Sequence, residues 1–327
     1  MSVPMIIDTD PGVDDAVALL LAAASPEVQL LAVTTVFGNV NVELTTANAL
    51  RLRALAGLGH VPVGAGAARP LVHRQDQRAE FWHGADGLGG RADLLPEPTG
   101  PVSSRGAVAL MADLLLSAPA PVTLVPIGPL TNIALLLAAH PDVKPRIDRI
   151  VAMGGSLSVG NTGLSVGKPG LPDSYTDDSL AEFNIHSDPE AARRVLVEED
   201  VLTTLVPLDL TLRAAVDGTW LYELAAAGPR CAALASIVEH YRGRFRETTG
   251  RDTVALHDSL AVLEAAVPGT LRTTPMPLEV VCDQGPTRGA LMADNRRGVK
   301  TRMVQVALDA DLPAISASIL DRLHGLH

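Results

Sequence analysis

Four aspartates crowd one short stretch of the chain, Asp8-Thr9-Asp10-Pro11-Gly12-Val13-Asp14-Asp15. Aspartate is a common helix cap and turn residue, and capping alone would account for Asp14. It does not account for four carboxylates around one turn, because their mutual repulsion calls for a counter-charge. A hard divalent cation with oxygen ligands supplies one. A softer metal is a poor match, since Cys231 and Cys282 stand far apart in sequence and without CxxC spacing. Both cysteines read as core residues.

Such a cluster needs a strand to deliver Asp8 and Asp10 and a helix to begin at Asp14. Met5 to Ile7 reads as a buried strand and Asp14 to Ala24 as a helix rich in Ala and Leu. Gln29 to Val36 is a second strand, Val42 to Ala56 a helix ended by Gly57 and Gly59, and Val61 to Val63 a short strand. Strands at Val122 to Val125 and Arg149 to Met153 flank a helix at Leu130 to Ala139, and a helix at Pro189 to Glu198 leads into a strand at Leu202 to Val206. This alternation predicts an α/β fold: a mainly parallel central sheet flanked by helices, a Rossmann-like open sheet. Ligands of such sheets bind at the carboxyl ends of the strands, where the aspartates fall. The last third is more mixed, with helices at Cys231 to Thr248, Ser259 to Ala266 and near Ile315 to Leu323, and strands at Leu278 to Cys282, Gly289 to Ala293 and Met303 to Ala307. Two stretches lack periodicity, about 73–101 and 162–181, and loops this long are usually functional. No composition break marks a linker, so residues 1–327 are expected to form a single domain.

A chain of 327 residues with 47% hydrophobic content can bury a large core, and its net charge of -11 offers no basic footprint for nucleic-acid polymers or anionic membranes. The apolar run Ala16 to Ala24 is too short to span a bilayer, and no basic region precedes Asp8. A cytoplasmic location and a small, neutral substrate are therefore expected.

A D-x-D pair after a first strand also opens haloacid-dehalogenase-like phosphotransferases, but these require Thr or Val where this chain has Gly12. Asp8 to Ala16 instead resembles the opening signature of the inosine/uridine-preferring nucleoside hydrolase family. Further segments are similar to that family in the same order: Val36 to Val40, His83-Gly84-Ala85-Asp86-Gly87-Leu88, Pro126-Ile127-Gly128-Pro129-Leu130-Thr131-Asn132, Met153-Gly154-Gly155, Glu182-Phe183-Asn184 leading into Asp188-Pro189-Glu190-Ala191, and His257-Asp258-Ser259-Leu260-Ala261-Val262. The resemblance runs from residue 5 to about residue 265.

It implies an N-glycosidase that hydrolyses ribonucleosides to ribose and free base, working in purine and pyrimidine salvage as a homodimer or homotetramer. It implies Ca2+ held by Asp10, Asp15, Asp258 and the backbone carbonyl of Ile127, with Asp10 also the general base towards water. Asp14, Asn39, Asn161, Glu182 and Asn184 match the family's ribose contacts, where oxygen atoms favour an oxocarbenium-like transition state. Met153 belongs to the same substrate-binding set. His257 matches a histidine near the leaving base in one branch of the family, in a general-acid or electrostatic role. Tyr241 and Phe245, four apart on a helix, lie where the family closes aromatic side chains over the base, although this spacing equally suits core residues. His83 and Trp82 lie on a flap, to contact substrate or to pin the loop.

Each polar residue also has a plain alternative: Asn39 as a turn residue after Gly38, Asn184 as a cap towards Asp188. The chain departs from the family between Asn161 and Glu182, where the usual connection is shorter; here Thr162 to Ala181 brings Lys168, Asp173, Asp177 and Asp178. That departure leaves open a hydrolase of another ribosyl compound. A third reading is a non-catalytic, calcium-dependent nucleoside-binding module.

Overall fold

The computed structural model describes residues 2–74, 78–98, 100–158, 181–294 and 302–326. Asn161 and nearly all of the 162–181 segment lie outside the described residues. In chain order the first half comprises β1 (Val3–Thr9), α1 (Val13–Ala24), β2 (Val28–Thr35), α2 (Val42–Leu55), β3 (Val63–Ala65), the single turn α3 (Glu80–His83), α4 (Ala107–Ser117), β4 (Val122–Pro126), α5 (Thr131–Ala139) and β5 (Ile147–Met153). The second half comprises α6 (Phe183–Ser187), α7 (Pro189–Arg193), β6 (Thr203–Val206), the single turn α8 (Leu208–Thr211), β7 (Ala215–Asp217), α9 (Gly218–Ala226), α10 (Pro229–Thr249), β8 (Thr253–Ala255), α11 (His257–Ala266), β9 (Leu271–Val280), β10 (Leu291–Ala293), β11 (Met303–Ala310) and α12 (Leu312–Leu323).

Among the described residues nine strands form one sheet in the order β10-β9-β11-β6-β5-β4-β1-β2-β3. All pairs from β11 to β3 are parallel, and only β9 runs against its neighbours. The expected mainly parallel α/β sheet is borne out. The strand order reverses where β1 lies between β4 and β2, and at such a switch point the connections leave to opposite faces and open a crevice at the carboxyl ends. Asp8 pairs with Pro126 and Thr34 there, so the aspartate run emerges into that crevice.

The helix composition explains the second layer. Residues Ala16 to Ala22 of α1 are all buried, as are all ten residues of α11. A helix apolar on every side must be covered on every side. Accordingly α1 packs against α11, α10 and α12. This packing brings the first turns of α1 and α11 together.

Several local expectations shift. β3 begins at Val63 rather than Val61, because Val61 still closes the turn after α2 through its N–H to the Leu58 carbonyl at 2.8 Å. Helices α4 and α9 are additions to the sequence reading. Of the strand expected at Leu278 to Cys282, Leu278 to Val280 is the tail of the longer β9 and Cys282 lies beyond it, half-buried rather than a core residue; Cys231 is fully buried. The helix expected at Pro189 to Glu198 turns π-helical over Arg194–Glu198.

Asn132 ties the sheet together beneath the crevice. Its amide donates to Asp8 Oδ1 at 2.8 Å and to the Thr35 carbonyl at 2.9 Å, while its oxygen accepts the Ala67 N–H at 2.9 Å. We expect Asn132→Ala to destabilise the fold by about 2 kcal/mol or more, since it strands buried partners on three segments. Urea unfolding checks this, and an unchanged midpoint would refute it.

Candidate active site

β1 delivers Asp8 and, just beyond its end, Asp10; α1 opens with Asp14 and Asp15; α11 opens with His257 and Asp258. Asp14, Asp15 and Asp258 each place a carboxylate oxygen within 4.8 Å of the others. Two helix N-termini thus converge on one acidic group, and both dipoles favour negative charge. The capping role expected for Asp14 falls to Asp15, whose Oδ2 accepts the Gly12 N–H at 2.8 Å and whose Oδ1 accepts the Thr9 hydroxyl.

Asp10 stands beside this group. Its Oδ2 accepts the Asn39 N–H at 2.8 Å, whereas Oδ1 is buried and has no hydrogen-bond partner among the described residues. Gly38 and Gly128 close on the two oxygens, and a Cβ at either position would collide with the carboxylate. Asn39 is more than a turn residue: its amide also donates to the Asp10 carbonyl and to Asp15 Oδ2, both at 3.2 Å. The Ile127 carbonyl accepts the Asn184 amide at 3.1 Å, which leaves one of its two lone pairs for another partner.

Asn184 does not cap a turn. Its amide bridges the Ile127 carbonyl and the Met153 carbonyl, the latter at 3.3 Å. Glu182 caps α6 instead: it accepts the N–H of Asn184 at 2.9 Å, of Ile185 at 3.1 Å and of Gly155 at 2.7 Å. The structure therefore brings Asp10, Asp14, Asp15, Asn39, Ile127, Met153, Glu182, Asn184 and Asp258 into one network.

Burial raises every carboxyl in it, and mutual repulsion adds to this at Asp10, Asp14 and Asp258. Asp14 is pushed up to about 8 by desolvation and by Asp15. Desolvation and Asp15 hold Asp10 well above its usual range, and desolvation with Asp14, Asp15 and Asp10 does the same to Asp258. Burial likewise raises Asp15 and Glu182. Asp8, under the cluster, rises to about 7 through burial despite its bonds from Thr34 and Asn132. A divalent cation fits this set on three counts: the donors are all oxygen, among the described residues no Lys or Arg pairs with the carboxylates, and among the same residues the buried Asp10 Oδ1 has no hydrogen-bond partner.

The histidines behave oppositely. Burial lowers His257 to about 4, and burial with the neighbouring His257 and His240 lowers His83 to about 3, so both rings are neutral near neutral pH. His83 Nδ1 accepts the Val13 N–H at 3.0 Å, pinning α3 to the start of α1. Tyr241 and Phe245 are buried and surround Trp82, with ring centroids 5.8 and 5.6 Å from it, and Tyr241 lies 5.2 Å from His83. In this structure the aromatic pair packs on the flap.

Residues 5–317 match the model of the inosine-uridine preferring nucleoside hydrolase family. The chain belongs to this family. Its nearly full-length similarity to the inosine-uridine preferring nucleoside hydrolase of Leishmania major is 35% identity over 323 residues, 98% of this chain and 96% of that one. A pyrimidine-specific ribonucleoside hydrolase of Photobacterium profundum is 48% identical over 216 residues, 66% of this chain and 64% of the relative, so that match spans under two-thirds of the other protein. Among solved structures, a purine-preferring ribonucleoside hydrolase from Gardnerella vaginalis superposes with a TM-score of 0.87 at 30% identity, covering 99% of this chain and 98% of that one. The expected N-glycosidase is thereby shown: this nucleoside hydrolase is an enzyme of a metal-dependent family, with an acidic cluster at the family's signature. No helix among its described residues is long and apolar enough to cross a membrane.

Sequence reasoning gave no role to Thr9, Asn132 or Thr211, which hold Asp15, Asp8 and His257 respectively. Asn132 stood inside a recognised segment; Thr211 carried no local signal.

If the cluster takes a dication, a cation at 100 times its Kd should stabilise the fold by about 2.7 kcal/mol. Thermal unfolding with and without added divalent cation measures this. In Asp15→Asn or Asp258→Asn the gain should shrink markedly, and an undiminished gain in both variants would place the ion elsewhere.

Proposed function

We propose that this enzyme is a calcium-dependent nucleoside N-ribohydrolase whose Asp10 activates water at the switch point of its sheet. The observation that carries the reading is the buried Asp10 Oδ1, without a hydrogen-bond partner among the described residues and next to the Asp14, Asp15 and Asp258 group. Asp10, Asp15, Asp258 and the Ile127 carbonyl would hold the ion. When bound, calcium supplies a Lewis acid that acidifies water and fixes sugar hydroxyls.

Asp10 suits a general base because only one of its oxygens is committed to the backbone. Asp14, Asn39, Glu182 and Asn184 form the sugar-facing wall, and Asn161 belongs to the same reading. As the bond to the base breaks, positive charge grows on the ribose ring and anomeric carbon, and these oxygens favour it. Water then adds to the anomeric carbon and gives its proton to Asp10, and the base leaves as an anion held by the N–H of His257 or as the neutral base after taking that proton, which solvent then restores to the ring. His83 and His257 lie on the base side in this reading, with Met153 below the sugar and Tyr241 and Phe245 behind the flap. Pyrimidine-specific, purine-preferring and inosine-uridine preferring relatives all resemble the chain, so base preference rests with that second wall. The same proposal includes a single domain, a cytoplasmic location, a role in purine and pyrimidine salvage, and a homodimer or homotetramer; a light-scattering mass of one chain would remove the last.

Chelation should abolish ribose release from inosine or uridine and calcium should restore it, given the all-oxygen donor set. Rescue by zinc and not by calcium would overturn the metal assignment. Asp10→Asn should lower kcat at least about 10²-fold, as it removes a base and a ligand charge together. Near-normal turnover would move the base to another residue.

His257→Ala should slow natural nucleosides, whose bases leave poorly as anions, far more than 4-nitrophenyl riboside, whose nitrophenolate needs no proton. Equal losses on both would make His257 a support for Asp258.

A further inference from the structure

His257 is buried at the first turn of α11, and its Nδ1 lies 2.8 Å from the hydroxyl of Thr211, itself fully buried. One ring edge is thus committed, and Nε2 is the edge left for a substrate. Which nitrogen carries the proton depends on which partner donates in that one bond.

The surroundings of Thr211 decide it. Buried helical threonines commonly give their hydroxyl proton to a carbonyl one turn back, and in this protein Thr46 and Thr248 do so, to Val42 and Arg244. Thr211 does not. The carbonyl one turn back, on Pro207, accepts the N–H groups of Leu210 and Thr211. Among the described residues the Thr211 hydroxyl has His257 Nδ1 as its hydrogen-bond partner, so its proton has one place to go. The backbone of α8 is anchored as well: the Leu208 N–H donates to the Gly155 carbonyl at 2.9 Å, and the Gly155 N–H donates to Glu182 at 2.7 Å. One short turn therefore joins the sugar-side carboxylate to the base-side histidine.

We propose that Thr211 is a positioning residue whose hydroxyl donates to Nδ1 of His257 and so leaves the ring proton on Nε2. The nucleobase leaving group then meets an N–H donor instead of a lone pair. The opposite tautomer would turn a lone pair towards accumulating negative charge and oppose departure. This inference rests on the leaving-group role proposed above for His257, so the test separates the two.

Thr211→Val keeps the shape and deletes the hydroxyl; Thr211→Ser keeps the hydroxyl. The calcium-loaded enzyme is assayed for kcat and KM on inosine, uridine and 4-nitrophenyl riboside, beside His257→Ala. Thr211→Val should lose at least about tenfold more kcat on the natural nucleosides than on the nitrophenyl substrate, with little change in KM, and Thr211→Ser should recover most of it. The double variant Thr211→Val/His257→Ala should be no slower than His257→Ala alone. In the wild-type holoenzyme labelled with ¹⁵N-histidine, the signal missing from His257→Ala should show a protonated Nε2 and a bare Nδ1. Should Thr211→Val fail to fold, Thr211→Ala is read by the same ratio. A protonated Nδ1 in the wild type, equal losses on all substrates, or no loss at all would each overturn the inference. If His257→Ala itself lacks leaving-group selectivity, the reading of His257 falls and takes this inference with it; if His257→Ala is selective and Thr211→Val is not, only the role of Thr211 falls.

Discussion

Like charge held out of water is the constraint around which this molecule is arranged. Asp10, Asp15 and Asp258 are buried, and Asp14 stands beside them at the head of the same helix as Asp15. Desolvation and repulsion both oppose their ionised forms. The fold answers with directed N–H and O–H groups: Gly12, Asn39 and Thr9 towards the aspartates, and Gly155, Asn184 and Ile185 towards Glu182. These donors lessen the penalty without removing it, and three carboxylates lie within 4.8 Å of one another, close enough for one cation to bridge.

The sheet explains why such a cluster can persist. A switch point at β1 leaves a crevice at the strand ends that no crossover helix fills. The helices α1 and α11 are apolar on nearly all sides, so the hydrophobic effect, acting along their whole length, presses their acidic first turns together. Packing energy distributed over two helices thus offsets repulsion concentrated at their ends. Asn132 and Asp8 fasten the strand ends beneath, and Gly38 and Gly128 admit the Asp10 carboxylate where any side chain would exclude it.

The histidine and aromatic wall is governed by different physics. His83 and His257 are neutral because burial disfavours their charged forms, and each has its Nδ1 engaged, by the Val13 N–H and by Thr211. Trp82, Tyr241 and Phe245 join the flap to α10 through tilted and edge-on ring contacts. In the proposed reading the sugar faces this lattice of fixed oxygens and the base faces the buried wall with its two oriented imidazoles. A hydrolase that must stabilise a cation on the sugar and an anion on the base needs that asymmetry.

The sequence by itself determined the mainly parallel sheet, the place of the aspartate run at the end of its first strand, and the family, because these depend on short-range periodicity and on contiguous segments such as Asp8 to Ala16. It also singled out Asn39, Glu182 and Asn184, whose neighbours in the chain carry recognisable patterns and which the structure brings next to the aspartates, Ile127 and Met153. Tertiary structure alone decided that Asp14, Asp15 and Asp258 come within 4.8 Å of one another, and that Tyr241 and Phe245 pack on the flap. It alone joined Thr211 to His257, 46 positions apart, and Asn132 to Asp8, 124 apart. Such contacts leave no periodic trace, because a buried threonine or asparagine reads the same in sequence whether it satisfies its own backbone or a side chain brought to it from across the fold.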